Sequence, residues 1–192
     1  LSRQTHTTNI RLVTEKDRGK GLVRPRDYED VDGLITAEPG VVLVTHYADC
    51  VPLFFVDKEK HVIGLAHSGW RGTAAGMGAR MTEAMGEAFG SKPENLAAVI
   101  GPSICQDCYE VSEEVAEQFT QFPGAVKAGK QPGKYQLNLW EANRQILRKA
   151  GLLEEHIAVA GICTCCNSDR LGFAVYQSVP LRHHYTLCFH IP

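Results

Sequence analysis

Two apolar, β-rich runs joined by a short polar link constrain this chain more than any other feature. Val51-Pro52-Leu53-Phe54-Phe55-Val56-Asp57 and His61-Val62-Ile63-Gly64-Leu65-Ala66-His67 flank Lys58-Glu59-Lys60. β-Branched and aromatic side chains favour extended backbone, and a link this short turns the second run back along the first. An antiparallel hairpin is therefore expected over residues 51–67. Pro52 stands at the beginning of the first strand, where a missing N–H is tolerated. Gly69-Trp70-Arg71-Gly72 follows the second strand at once. Thr73 to Phe89 then carries Ala75, Met77, Met81, Ala84, Met85 and Phe89 at helical spacing, and Gly90 and Pro93 end it.

The flanking segments extend the pattern. Residues 14–30 hold many charges with Gly19, Gly21 and Pro25, and read as an exposed loop. Val31 to Thr36 and Val41 to Thr45 read as strands around the turn Glu38-Pro39-Gly40. Ala97 to Ile100 is a strand running into Gly101-Pro102, and Ile157 to Ile162 another. Ser112 as N-cap starts a helix over about 113–121, and Leu137 to Ala150 is an amphipathic helix ended by Gly151. Hairpins mixed with strand–helix steps argue for an α/β fold: a single domain, residues 1–192, with mixed β-sheets flanked by helices. Its length suits one domain of roughly 100–200 residues. No Gly-x-Gly-x-x-Gly or P-loop motif is present, so neither a dinucleotide fold nor a P-loop is supported.

Charge and apolar runs narrow the function classes. A net charge of −2 argues against a nucleic-acid binder. No apolar run reaches the ~18 residues of a membrane span, and no signal segment opens the chain. The first residue is Leu, so the native N-terminal segment is expected to be missing. Seven cysteines, an odd number with three in Cys163-Thr164-Cys165-Cys166, fit a reducing cytoplasm better than a disulfide framework.

The chemistry-bearing residues gather near the hairpin. Cys50, in Ala48-Asp49-Cys50, precedes its first strand, and His67 ends its second. If the strands pair, both meet at one sheet edge, as zinc ligands with an open position or as a Cys–His nucleophilic pair. Arg71, in a turn with two glycines, offers a fork for phosphate or carboxylate. Asp32 and Asp49 stand beside these residues as ligand orienters or general acid–base groups. Cys105-x-x-Cys108 has zinc-ligand spacing, whereas Cys163, Cys165 and Cys166 are more tightly spaced than usual. They could supply four sulfurs to a zinc ion, but the preferred reading of these five is reduced thiols in loops or core. His183-His184 and His190, in an aromatic tail, read as ordinary surface or core histidines.

Val31-Asp32-Gly33, Thr45-x-x-Ala48-Asp49-Cys50-Val51-Pro52, Ala66-His67-Ser68-Gly69-Trp70-Arg71-Gly72-Thr73 and Gly101-Pro102-Ser103-Ile104 resemble the bacterial laccase-domain family. The resemblance runs over residues 3–170. It implies a zinc-dependent purine nucleoside phosphorylase, with adenosine deaminase and methylthioadenosine phosphorylase activity at the same site. It also implies a layered α/β sandwich similar to the fold of toxin-deamidase cysteine hydrolases. Its implied metal ligands are His6, in Gln4-Thr5-His6-Thr7, with Cys50 and His67; Thr7 replaces the family's usual glycine. His46 is a rival third ligand by proximity, outside the motif. The implied partners are purine nucleosides and phosphate, with no nucleic acid or membrane; oligomeric state is not legible. The family's Ser-x-Arg-Arg-Asp motif is missing after Asp169-Arg170, where Leu171-Gly172-Phe173 follows. Three alternatives stand beside this reading: a metal-free cysteine hydrolase using Cys50 and His67, a copper polyphenol oxidase, and a binding or regulatory protein that keeps the pocket without turnover. Copper is the weaker reading, because several coppers need many histidines and this chain has eight, with His183-His184 the only adjacent pair.

Overall fold

A computed structural model describes residues 1–167 and the strand at residues 185–190. His183-His184 and the stretch Asp169 to Phe173 lie outside the described residues. In chain order the strands and helices are β1 (Ile10–Leu12), β2 (Gly33–Thr36), β3 (Val42–Tyr47), β4 (Val51–Asp57), β5 (Val62–Ser68), α1 (Trp70–Ala74), α2 (Met77–Phe89) and β6 (Leu96–Ile100). They continue as β7 (Glu110–Ser112), α3 (Glu113–Glu117), β8 (Val126–Ala128), β9 (Lys134–Leu137), α4 (Leu139–Lys149), β10 (Ile157–Val159) and β11 (Tyr185–His190).

The expected hairpin is the centre of the fold. β4 and β5 pair antiparallel with Val51 opposite Ser68 and Asp57 opposite Val62. Around them a six-stranded mixed sheet runs in the order β1-β2-β5-β4-β6-β10, parallel only at its two edges. β3 and β11 form an antiparallel ribbon, and β7-β9-β8 a small separate sheet.

Strand alternation gives each face of the sheet its own core. One core joins Leu53, Phe55 and Ala66 to Met77, Met81 and Met85 of α2 and to Ile146 and Leu147 of α4. The opposite face sends Leu34, Ile63 and Leu65 against Leu43 of the ribbon. Each such fully buried side chain contributes about 1.5–3 kcal/mol by leaving water. Gly64 is small for a reason, since a Cβ there would lie 2.6 Å from the Met81 methyl carbon. The layers are thus helices, sheet and ribbon: the expected mixed α/β architecture.

Several expected boundaries are corrected. The helix expected over Thr73 to Phe89 is two helices, because Gly76 at φ 77° takes the left-handed conformation and breaks the path between α1 and α2. Leu137 ends β9 rather than opening α4; Asn138 caps α4, its side chain accepting the Glu141 N–H at 3.1 Å. The helix after Ser112 stops at Glu117, and the strand from Ile157 stops at Val159. Residues 14–30 contain a 3-10 turn, Glu15–Asp17, whose nearly buried Asp17 pairs with Arg11 and Lys20. No described helix is long and apolar enough to cross a membrane.

Candidate metal centre

Strand register carries three polar residues to one edge of the sheet. Gly33 of β2 stands opposite Ala66 of β5, so Asp32 falls beside His67, whose N–H donates to the Asp32 carbonyl at 2.8 Å. Pro52 stands opposite His67, which leaves Cys50 just beyond the end of β4. By alternation His67 shares the face of Ile63 and Leu65, toward the ribbon, where its ring lies 5.8 Å from that of Tyr47. Tyr47 is itself held by its hydroxyl, which donates to the Ala66 carbonyl at 2.9 Å.

His6 arrives from the N-terminal segment. Arg3 bridges Val31 antiparallel, and the chain then turns with His6 at φ 66°. A left-handed non-glycine residue costs roughly 1–2 kcal/mol. The turn is held by Asp32: the N–H groups of Thr5, His6 and Thr7 donate to its carboxylate at 3.1, 3.1 and 2.9 Å. Thr7 Oγ1 adds a fourth bond at 2.9 Å, so the residue that replaces the family's usual glycine strengthens the turn. His67 Nδ1 makes the fifth, 2.9 Å from Asp32 Oδ1.

The result is a compact donor set. One ligand atom from each of His6, Cys50 and His67 lies within 4.8 Å of the others. Cys50 is half-buried, His67 buried and His6 exposed, so the trio opens to solvent on the His6 side. Gly69 closes on it from behind, since a Cβ there would come 2.9 Å from Cys50 Sγ and 3.4 Å from His6 Cδ2. His46 is not part of the trio.

Electrostatics favour a thiolate here. Burial alone would push the Cys50 thiol up, yet hydrogen bonds with His6 and His67 outweigh it and bring its pKa down to about 7. Burial would lower the His67 imidazole, but the hydrogen bonds with Asp32 and Cys50 raise its pKa to about 9. Burial would raise Asp32 too, but the bonds from His67, Thr7 and Thr5 hold it below the ordinary carboxylate range. The trio and Asp32 fit a zinc ion: two imidazoles and a thiolate are ordinary zinc donors, and Asp32 pins His67 Nδ1 so that Nε2 faces Cys50 and His6.

The other expected residues stand nearby. Asp49, half-buried, accepts a 2.7 Å hydrogen bond from Thr164 Oγ1. Arg71 is exposed, its guanidinium 4.3 Å from the centre of the Trp70 ring. Ser68, Thr73 and Asn143 form a buried network that ties the end of β5 to α1 and α4. Sequence reading passed over this network, though the polar Ser68 and Thr73 around Gly69-Trp70-Arg71-Gly72 were visible.

A second group bears on the remaining cysteines, read from sequence as reduced thiols or as four-sulfur zinc ligands. Cys105, Cys108, Cys163 and Cys166 bring their sulfurs within 4.8 Å of one another, and a four-cysteine cluster of this kind could hold a metal ion. Cys165 is not among the four, so the apparently tight run contains a second Cys-x-x-Cys, with Cys165 a further hydrogen-bonding neighbour of Cys108. Burial would raise Cys163, but the N–H groups of Cys166 and Cys105 bring its pKa down to about 7. Cys108 is pushed up by burial and its cysteine neighbours.

Comparison with known proteins agrees with this architecture. The crystal structure of YlmD from Geobacillus stearothermophilus superposes with a TM-score of 0.80 at 37% identity, over 88% of this chain and 64% of that one. A Bacillus licheniformis hypothetical protein, YfiH, gives a TM-score of 0.81 at 38% identity, over 86% of this chain and 64% of the other. In sequence, the purine nucleoside phosphorylase YlmD of Bacillus subtilis (strain 168) is 44% identical over 168 residues, 84% of this chain and 59% of that protein. An adenosine deaminase from an unknown prokaryotic organism is 33% identical over 171 residues, 86% of this chain and 65% of that protein. The chain thus spans about six tenths of the length of these relatives. The profile described as multi-copper polyphenol oxidoreductase laccase matches residues 1–173, and the chain belongs to that family.

Proposed function

We propose that this chain carries the zinc site of a purine nucleoside phosphorylase, with His6, Cys50 and His67 as ligands. The observation that supports it is the meeting of these three donors, with His67 bonded to the buried carboxylate of Asp32. The names of the relatives supply the reaction class: phosphorylase for one, adenosine deaminase for another. Three protein ligands suit one catalytic ion with an open position rather than a cluster of coppers, so polyphenol oxidation is not carried over from the family's name.

In the reaction, a phosphate oxygen forms a bond to the anomeric carbon of adenosine, inosine or guanosine, the N-glycosidic bond breaks, and the base leaves with its electron pair. When bound, zinc supplies a Lewis acid with one position open to substrate or water. Asp32 keeps His67 in the tautomer whose Nε2 can donate a lone pair, and holds the turn that presents His6. Asp49 takes the proton from the attacking hydrogen phosphate and passes it to the departing base, with Thr164 orienting its carboxylate. Arg71 holds phosphate once it turns from Trp70 toward the opening. Deamination of adenosine uses the same site for a different bond: a water oxygen adds to C6 of the adenine ring, the C6–N bond breaks and ammonia leaves, giving inosine; methylthioadenosine is a further phosphorolysis substrate.

The same geometry supports a second reading. Asp32, His67 and Cys50 are ordered like an orienting acid, a base and a nucleophile, and the lowered thiol suits a metal-free cysteine hydrolase. Base release from inosine, metal content and alkylation separate the two. The phosphorylase reading expects phosphate-dependent hypoxanthine release that a chelator abolishes and zinc restores, and its loss in Cys50→Ala. Activity that survives the chelator but falls to iodoacetamide would move the assignment to the hydrolase.

A further inference from the structure

The four cysteines of the cluster are not among the residues used above, and they join two loops. One follows β6 and carries Cys105 and Cys108; the other follows β10 and carries Cys163 and Cys166. The loops run side by side: Ser103 bridges Cys163, Ser103 N–H donates to the Ile162 carbonyl at 3.1 Å, and Thr164 N–H donates to the Ser103 carbonyl at 3.2 Å. Both then touch one residue. Ile104 N–H donates to the Asp49 carbonyl at 3.1 Å, and Thr164 Oγ1 donates to the Asp49 carboxylate at 2.7 Å. Asp49 is the neighbour of Cys50.

We propose that Cys105, Cys108, Cys163 and Cys166 bind a second, structural zinc ion, and that this tetrathiolate clasp fixes Asp49 beside the catalytic trio. The donor set is closed: four protein sulfurs complete a tetrahedron and leave no place for substrate, unlike the three-ligand site. Zn–S bonds of about 2.3 Å put the sulfurs of a regular tetrahedron ~3.8 Å apart. Here all four lie within 4.8 Å of one another, and the Cys108 and Cys166 sulfurs are 3.5 Å apart. The ligands come from two Cys-x-x-Cys pairs, a spacing usual for structural zinc. Two backbone N–H groups, of Cys105 and Cys166, point at Cys163 Sγ at 3.3 and 3.4 Å, where they stabilise thiolate charge. Ile104 and Cys163 are buried where the loops meet, whereas Ile162 and Cys166 are exposed. A metal would hold the exposed end of this junction.

The test is metal analysis of the whole chain with X-ray absorption at the zinc edge. The wild-type chain is expected to carry two zinc ions, and Cys50→Ala one, with four sulfurs at ~2.3 Å around it. Cys108→Ser should lose the clasp zinc and keep the other, with amide exchange at Ile104 and Thr164 about tenfold faster or more. A wild-type chain with a single zinc in a four-sulfur shell would uphold the clasp while removing the catalytic zinc reading. Zinc lost entirely from Cys50→Ala, iron in place of zinc, or a Cys108–Cys166 disulfide in protein purified under reducing conditions would each overturn the clasp. If Cys108→Ser does not fold, the sulfur shell of Cys50→Ala decides alone.

Discussion

Replacing Asp32 by Asn keeps the shape of the side chain and reverses half of its hydrogen bonding. Asp32 Oδ1 accepts from the His6 N–H and faces His67 Nδ1; Oδ2 accepts from Thr5 N–H, Thr7 N–H and Thr7 Oγ1. An amide group set toward Thr5 and Thr7 meets donors with a donor and leaves two part-buried N–H groups without their acceptor. Set toward His67, it donates to Nδ1, moves the imidazole proton to Nε2, and so removes the lone pair that would bind zinc. A fully buried orphaned donor costs about 1–3 kcal/mol, which is the upper bound for these part-buried ones. Loss of a ligand-orienting partner typically weakens metal binding 10–100-fold, or about 1.4–2.8 kcal/mol at ~1.4 per factor of ten. Competition with a chromophoric chelator measures this directly, and thermal melting of the metal-free protein reports the stability loss. The pH dependence has a definite sign. Asp32 titrates below its ordinary value of 3.8, so its stabilising share is complete above that pH and is lost as pH falls through the lowered value. The Asn variant should lack that acid-side loss. Wild-type zinc affinity in Asp32→Asn, with an unchanged acid limb, would refute the reasoning.

Three further outcomes are expected. In the metal-free protein, Cys50 should react with iodoacetamide at a rate that rises with pH about a midpoint near 7. At pH 7 that makes the thiolate fraction ~50-fold larger than for a thiol at the ordinary 9.0, and added zinc should protect it; a midpoint near 9 contradicts the site geometry. Gly69→Ala should weaken zinc binding at least several-fold with little change in melting temperature, because its Cβ would press on Cys50 Sγ at 2.9 Å while the backbone φ of −66° suits any residue. Equal affinity by the same competition assay would show that the trio yields easily. Asn143→Ala should cost about 2–3 kcal/mol in denaturant unfolding, since Ser68 and Thr73 lose a buried partner and the Leu139 carbonyl its side-chain donor. A loss under ~0.5 kcal/mol would mean that the network rearranges freely.

Much of this protein was legible in one dimension because its signals are local. The link Lys58-Glu59-Lys60 between two β-rich runs suffices for the hairpin, and alternation along those runs then settles the facing of Ile63, Leu65 and His67. The helix period of Met77, Met81 and Met85 identifies the layer that covers the sheet. Turn conformation and the short strands were less legible. Nothing local marks Gly76 as left-handed rather than helical, and β7, β8 and β9 are strands of three or four residues, specified by their partners more than by their own composition. The candidate ligands His6, Cys50 and His67 could be named from motifs. Their meeting depends on contacts across 26 and 35 residues, from His6 N–H and His67 Nδ1 to the Asp32 carboxylate. The four-cysteine cluster spans 58 residues between Cys105 and Cys163, and Cys165 disguised its second pair. Sequence therefore determined the hairpin and the helix that backs it, since each rests on neighbours along the chain, and the family's motifs named the candidate donors. Only the tertiary structure decided which donors converge and which carboxylate anchors them, because distant loops come together through backbone hydrogen bonds and packing that no local pattern records.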